Sequence, residues 1–169
     1  LLTGIITDTG GFKYQGVSSE TFQFVAWLMQ SGVNVSNVYK KALQIKTKSS
    51  FELEKIAMNR LEFLEDGKVT FTYITSKDLK EVDAKIGDHE GLVEIGRDVE
   101  GVEVSVFLRQ IEDKTYKISL RANEHVNVSD VAMVFGGGGH VKAAGCKING
   151  TPEQIKTTLV KVIKKHIGI

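Results

Sequence analysis

The apolar pattern of this chain changes period at Asp66-Gly67, and that change restricts the fold more than any single residue does. Ahead of the turn, apolar residues recur at helical spacing. Phe22, Val25, Ala26 and Met29 share a face of a helix that Ser18 or Ser19 can cap and Gly32 can end. A second helix is read from Ser36 to Ile45. Ser49-Ser50-Phe51-Glu52 then reads as a capping box, opening a helix with Leu53, Ile56, Ala57, Arg60, Leu61 and Leu64 on one side. This helix is expected to connect two domains. The opening run, Leu1 to Thr7, reads as a central strand of an α/β sheet. Asp8 would then lie at its C-terminal end, where such sheets bind ligands.

Beyond the turn the pattern alternates, as a sheet requires. Val69 to Ile74, Val102 to Leu108 and Tyr116 to Arg121 read as strands, the last two joined as a hairpin through Glu112-Asp113-Lys114. Short helices are expected from Lys77 to Ala84, Gly91 to Arg97 and Ser129 to Phe135, and a short strand from Cys146 to Ile148. A last helix has strong start signals, with Thr151 as cap, Pro152 in the first position and Gln154 completing the box.

Between those elements lies Gly136-Gly137-Gly138-Gly139-His140, followed by Val141-Lys142-Ala143-Ala144-Gly145. Consecutive glycines cost backbone entropy, and they recur where the chain turns sharply or where main-chain N–H groups approach a ligand. Phosphate is the expected ligand, against the simpler reading of a flexible surface loop. With a net charge of +1 the chain has no broad basic face, so nucleotide binding would need a local pocket, and duplex DNA is not an expected partner. The lone Cys146 rules out an intramolecular disulfide framework and suits a reducing, cytoplasmic compartment. No apolar run reaches the ~20 residues of a membrane span.

The stretch from Gly137 to Gly145 resembles the GGGH-x-x-A-A-G signature of the DHH phosphoesterase superfamily, found in its C-terminal substrate-binding domain, and every position is present. The opening, from Leu2 to Phe12 with Asp8-Thr9-Gly10, is similar to the last metal-ligand motif of that family. The resemblance implies an α/β chain in three parts. Residues 1–46 would be the C-terminal end of a parallel-sheet catalytic domain, 47–66 a linker helix, and 67–169 a smaller mixed-sheet domain that binds substrate. The Asp-His-His triplet that names the family is absent. Asp88-His89-Glu90 has one histidine and lies downstream of Asp8, so it is given no metal role. The chain therefore reads as a C-terminal fragment, inactive by itself.

By resemblance, Asp8 is a ligand to one of two Mn²⁺ ions, whereas spacing alone also allows an Asx turn or helix cap. Arg121 resembles the family's strand-end arginine that contacts substrate phosphate, a task suited to the planar guanidinium fork. Ala122 stands where many relatives have a serine. Gly137, Gly138, Gly139 and His140 are the other expected substrate contacts. Arg97 and Arg109 belong to no motif and are read as exposed charges. The implied activity is hydrolysis of short oligoribonucleotides, dinucleotides or 3′-phosphoadenosine 5′-phosphate, with a homodimer left open. The alternatives are an exopolyphosphatase of the same superfamily and a non-catalytic nucleotide- or RNA-binding module.

Overall fold

The computed structural model describes residues 1–14 and 16–168. The chain forms two compact units, Leu1–Thr47 and Lys48–Ile169. The expected span 67–169 ends on Ile169, which lies outside the described residues.

In the first unit, helices α1 (Leu2–Asp8), α2 (Ser19–Gln30) and α3 (Val35–Tyr39) are followed by a π-turn, Lys40–Gln44. The opening run is thus a helix and not the expected strand. Leu2, Ile5 and Ile6 take i, i+3, i+4 spacing and pack with Val25 and Leu28 of α2, giving α1 a buried stripe that a strand would have lost. Thr9, Gly10 and Gly11 then end it. The Gly11 N–H donates to the Ile6 carbonyl at 2.7 Å, with Gly10 and Gly11 at φ 58° and 70°.

The second unit begins with α4 (Lys48–Asn59), which starts one residue before the expected capping box and stops five short of Leu64. Leu64 belongs to strand β1 (Glu62–Leu64), where it pairs with Val69 of β2 (Val69–Ile74). There follow α5 (Ser76–Glu81), α6 (Glu94–Arg97), β3 (Val104–Glu112), β4 (Thr115–Ala122), α7 (Val128–Met133), β5 (Gly138–His140), β6 (Ala143–Asn149) and α8 (Pro152–Ile167). The six strands form one sheet ordered β1-β2-β3-β4-β6-β5, parallel only between β2 and β3. A parallel pair needs a crossover, and the segment carrying α5 and α6 supplies it.

Strand alternation assigns each face its cover. Val69, Phe71, Val104, Val106, Ile118, Leu120, Ala144 and Cys146 face α7 and α8, whose Val131, Ile155, Leu159 and Ile163 complete the main core. Burial pushes the Cys146 thiol pKa up to about 11, so it is an inert core residue. On the opposite face, Ile74 and Phe107 pack beneath Leu53 and Ala57 of α4 and beneath Leu92 and Val93. Gly96 lets α6 approach, because a Cβ there would lie 2.2 Å from Thr70 Oγ1. Two buried polar residues on this side are bonded, Thr72 Oγ1 donating to the Ala57 carbonyl at 2.6 Å and Ser105 Oγ to the Val93 carbonyl at 2.7 Å, whereas the Thr70 hydroxyl beneath Gly96 has no hydrogen-bond partner among the described residues. These helices lie over β2 and β3, with α6 reaching β4 through Glu94, so β6, β5 and the rest of β4 keep one face open.

Candidate functional site

The register of those three strands determines what the open face displays. In antiparallel pairs, residues directly opposite project to the same side. Arg121 lies opposite Ala143, which lies opposite His140; Ser119 lies opposite Gly145, which lies opposite Gly138. Arg121 and His140 are therefore two strands apart on one surface, about 10 Å between backbones. The positions between and beside them, Ala143, Gly145 and Gly138, are small. The result is a shallow floor with a guanidinium at one edge and an imidazole at the other.

Arg121 is held in place from one side. Its Nε donates to Glu94 Oε1 at 3.0 Å, and its Nη1 to the Leu120 carbonyl at 3.1 Å. Among the described residues Nη2 has no partner, which leaves its N–H groups for a ligand. The α6 carboxylate is shared: Arg97 Nη2 lies 2.8 Å from Glu94 Oε2, an ion contact too poorly aligned to count as a hydrogen bond. Glu94 thus fixes the guanidinium without claiming all of it.

The glycine run is not the expected loop. Gly136 and Gly137 end α7, their N–H groups donating to the Met133 and Ala132 carbonyls at 3.1 and 2.9 Å, and Gly138–His140 pairs as the edge strand β5. Gly137 and Gly139 of the run, and Gly145 beyond it, have a packing reason to be glycine. A Cβ on Gly137 would lie 2.2 Å from the Gly145 carbonyl oxygen, one on Gly139 2.5 Å from that of Ala143, and one on Gly145 2.6 Å from that of Ile118. Gly136 and Gly138 have nothing within 4 Å of an added Cβ, but Gly136 needs its φ of 71° to end α7, whereas the φ of Gly138 is not positive. Its bareness keeps the open face clear. Gly137→Ala is therefore expected to destabilise the unit by about 1–3 kcal/mol through overpacking, whereas Gly138→Ala leaves the unfolding midpoint unchanged. Urea unfolding of both variants checks the division.

A cleft of about 330 Å³ opens along the same face, lined by His89, Glu90, Phe107, Arg109, Lys117, Ser119 and Arg121, together with Gly91, Leu92 and Val93. His89 is half-buried. Desolvation first, then the Arg109 and Lys117 charges, lower its pKa against the opposing pull of Glu90 and Asp88, so it is neutral at pH 7. Asp88, given no metal role, is a buried turn residue whose Oδ2 accepts from Lys85 N and Ser49 Oγ, both at 2.7 Å. The sequence reads Arg109 as an exposed charge, gives His89 no metal role and does not single out Lys117, whereas Arg109 and His89 are half-buried in this cleft. The alternation of Lys117, Ser119 and Arg121 along β4 was a legible sign, but the same pattern describes any solvated strand face.

Asp8 is exposed at the C-terminal residue of α1, where the helix dipole disfavours an anion. Among the described residues no group of three or more His, Cys, Asp or Glu side chains could hold a metal. The donors present do not make a metal site.

A model of the DHHA1 domain matches residues 65–168 of the chain. The chain is 35% identical over 150 residues to the bifunctional oligoribonuclease and PAP phosphatase NrnA of Thermus thermophilus, a match covering 89% of this chain and 44% of that protein. It is 25% identical over 169 residues to the A-adding tRNA nucleotidyltransferase of Aquifex aeolicus, covering 98% of this chain and 20% of that one. An exopolyphosphatase-related protein from Bacteroides fragilis superposes with a TM-score of 0.83 at 28% identity, over 97% of this chain and 47% of its own. The chain thus spans less than half the length of each of these relatives. No helix among the described residues is long and apolar enough to cross a membrane.

Proposed function

The chain belongs to the DHHA1 domain family of the DHH superfamily, on its nanoRNase- and pAp-phosphatase-like branch, and from that premise we propose that it holds the substrate of a phosphoesterase. The substrates are short oligoribonucleotides, dinucleotides or 3′-phosphoadenosine 5′-phosphate, and the setting is cytoplasmic. The observation that carries this reading is the open face shared by Arg121, Gly138 and His140. Arg121 Nη2 donates to a phosphate oxygen. The uncovered floor of Gly138, Ala143 and Gly145 lets the ligand lie against the sheet, and His140 stacks on a base or donates to a second oxygen. Hydrolysis belongs to the whole protein. Two Mn²⁺ ions, implied by the family resemblance, would act as Lewis acids on the phosphoryl group, with Asp8 as one proposed ligand. A single exposed carboxylate is not by itself a metal site.

Polyphosphate is the competing ligand, supported by the exopolyphosphatase-related neighbour. A flat floor of small residues beside an imidazole favours a ligand with a base, since polyphosphate needs cations alone. Calorimetric titration of the 169-residue chain with AMP and with tripolyphosphate separates the two. AMP is expected to bind more tightly. Gly138→Val is expected to lose AMP binding while melting like the parent, because valine suits a strand and its branches enter open space over the floor. If tripolyphosphate binds better than AMP and Gly138→Val leaves AMP affinity unchanged, the nucleotide assignment is wrong.

A further inference from the structure

The second unit keeps its partly buried cations paired. Arg60 lies against Asp78 at 2.6 Å, Arg97 and Arg121 against Glu94 at 2.8 and 3.0 Å, Lys156 against Glu62 at 2.8 Å, and Lys164 against Glu65 at 2.7 Å. Lys142 donates to the Glu124 carbonyl at 2.5 Å. Arg109 breaks the pattern. It is half-buried in the cleft wall, yet among the described residues its side chain has neither a hydrogen bond nor an ion pair. Lys117, itself exposed, lies directly opposite it in the β3–β4 ladder without a side-chain partner among those residues, and the neutral His89 lines the same cleft. Like charges paired across a ladder repel, and on the Arg109 side partial burial reduces the solvent screening of that repulsion. The arrangement is favourable when an anion lies between them.

We infer that Arg109 and Lys117 form a second phosphate subsite, which takes a phosphate further along the chain from the one held by Arg121. Lys117 and Arg121 are four residues apart on one strand face, about 14 Å along the backbone. Glu94 and the Leu120 carbonyl pin the Arg121 guanidinium at its own end, so the two cationic points do not close on one phosphate. Phe107 and Ser119 floor the cleft between them, and Ser119 offers a hydroxyl to the linking backbone. Glu90 is exposed at the rim, where solvent and salt weaken its opposition. The cleft therefore selects nucleotides with several phosphates along a chain over mononucleotides. This inference rests on the nucleotide reading of the Arg121 face.

The test uses the 169-residue chain and its Arg109→Gln/Lys117→Gln variant, which keeps side-chain length while removing both charges. Each is titrated calorimetrically with AMP and with pApApA at two salt concentrations. The variant is expected to lose about tenfold or more in pApApA affinity, in line with a charge-assisted contact, with a shallower salt dependence and AMP affinity within about twofold. The His89 ring resonances give a second reading, because a phosphate between its two cationic neighbours should raise its titration midpoint with pApApA and not with AMP. An equal loss for both ligands, or no loss for pApApA, overturns the second subsite while leaving the Arg121 face standing. If the parent chain binds AMP and pApApA not at all, the nucleotide reading and this subsite fall together.

Discussion

Asp78→Ala is expected to lower the stability of the second unit by about 3 kcal/mol at neutral pH, the low end for breaking a buried pair from one side. Asp78 is only 6% exposed and receives both Arg60 amino groups, at 2.6 and 2.9 Å, while also accepting from Thr75 N and Oγ1. Removing the carboxylate strands the guanidinium and takes away the half of the α5 capping box that accepts from Thr75 N, while Thr75 Oγ1 still accepts from the residue 78 N–H. Arg60 keeps partial relief, since it is 31% exposed and lies 4.7 Å over the Tyr73 ring, which is why the loss stays near the low end. Burial alone would raise the Asp78 pKa, but its bonds to Arg60 and Thr75 outweigh that and hold it below the ordinary carboxylate value. A depressed folded pKa contributes stability that is present above the unfolded value, about 3.9, and lost as pH falls through the folded one. Urea unfolding at pH 7 and at pH 3 is therefore expected to show a large gap between parent and variant that narrows in acid. A gap independent of pH would assign the loss to packing.

The second large effect is on binding. Arg121→Ala is expected to weaken AMP binding by about 1.5–3 kcal/mol, roughly ten- to more than a hundredfold, the loss of a charge-assisted phosphate contact. Stability should change little, because Arg97 still lies against Glu94 at 2.8 Å and the acid is not left alone. A Glu94→Gln variant separates holding from contacting: the guanidinium keeps its charge but loses its anchor, so AMP affinity should fall less than in Arg121→Ala. Equal losses would mean that orientation is all that Arg121 supplies, and no loss in either would make it a solvated strand charge.

The sequence revealed elements where a local signal and the tertiary packing agree. Thr151, Pro152 and Gln154 form the expected box on α8, and Ile155, Leu159 and Ile163 bury its expected face. Two elements were misread because a short apolar run fits either period. Leu1 to Thr7 became a helix when α2 offered Ile6 a stripe to pack on. Leu61 and Leu64 continued the spacing of Leu53 and Ala57, yet Leu64 joined a strand once the Glu65-Asp66-Gly67 turn brought it opposite Val69. The site divides in the same way. Arg121, Gly138 and His140 stood in recognisable motifs, and the register brings them to one surface. Arg109, Lys117 and His89 come from β3, β4 and the crossover, so only the strand pairing shows that they meet. The glycine run was conspicuous in the sequence, but which glycine serves packing and which serves the open face depends on what surrounds each Cβ.

The central claim is that the open face of β4, β6 and β5 binds a nucleotide phosphate, and amide chemical shifts followed during an AMP titration of the chain test it most directly. The resonances of Gly138, His140, Ala143, Gly145, Ser119 and Arg121 are expected to move together along one saturating curve, while those of α8 on the opposite side stay still. Plain phosphate should move Arg121 and leave His140 less affected, because it has no base to stack. If AMP saturates elsewhere, or leaves Gly138 and Arg121 unmoved at saturation, the open face is a packing surface and the binding role assigned to it is wrong.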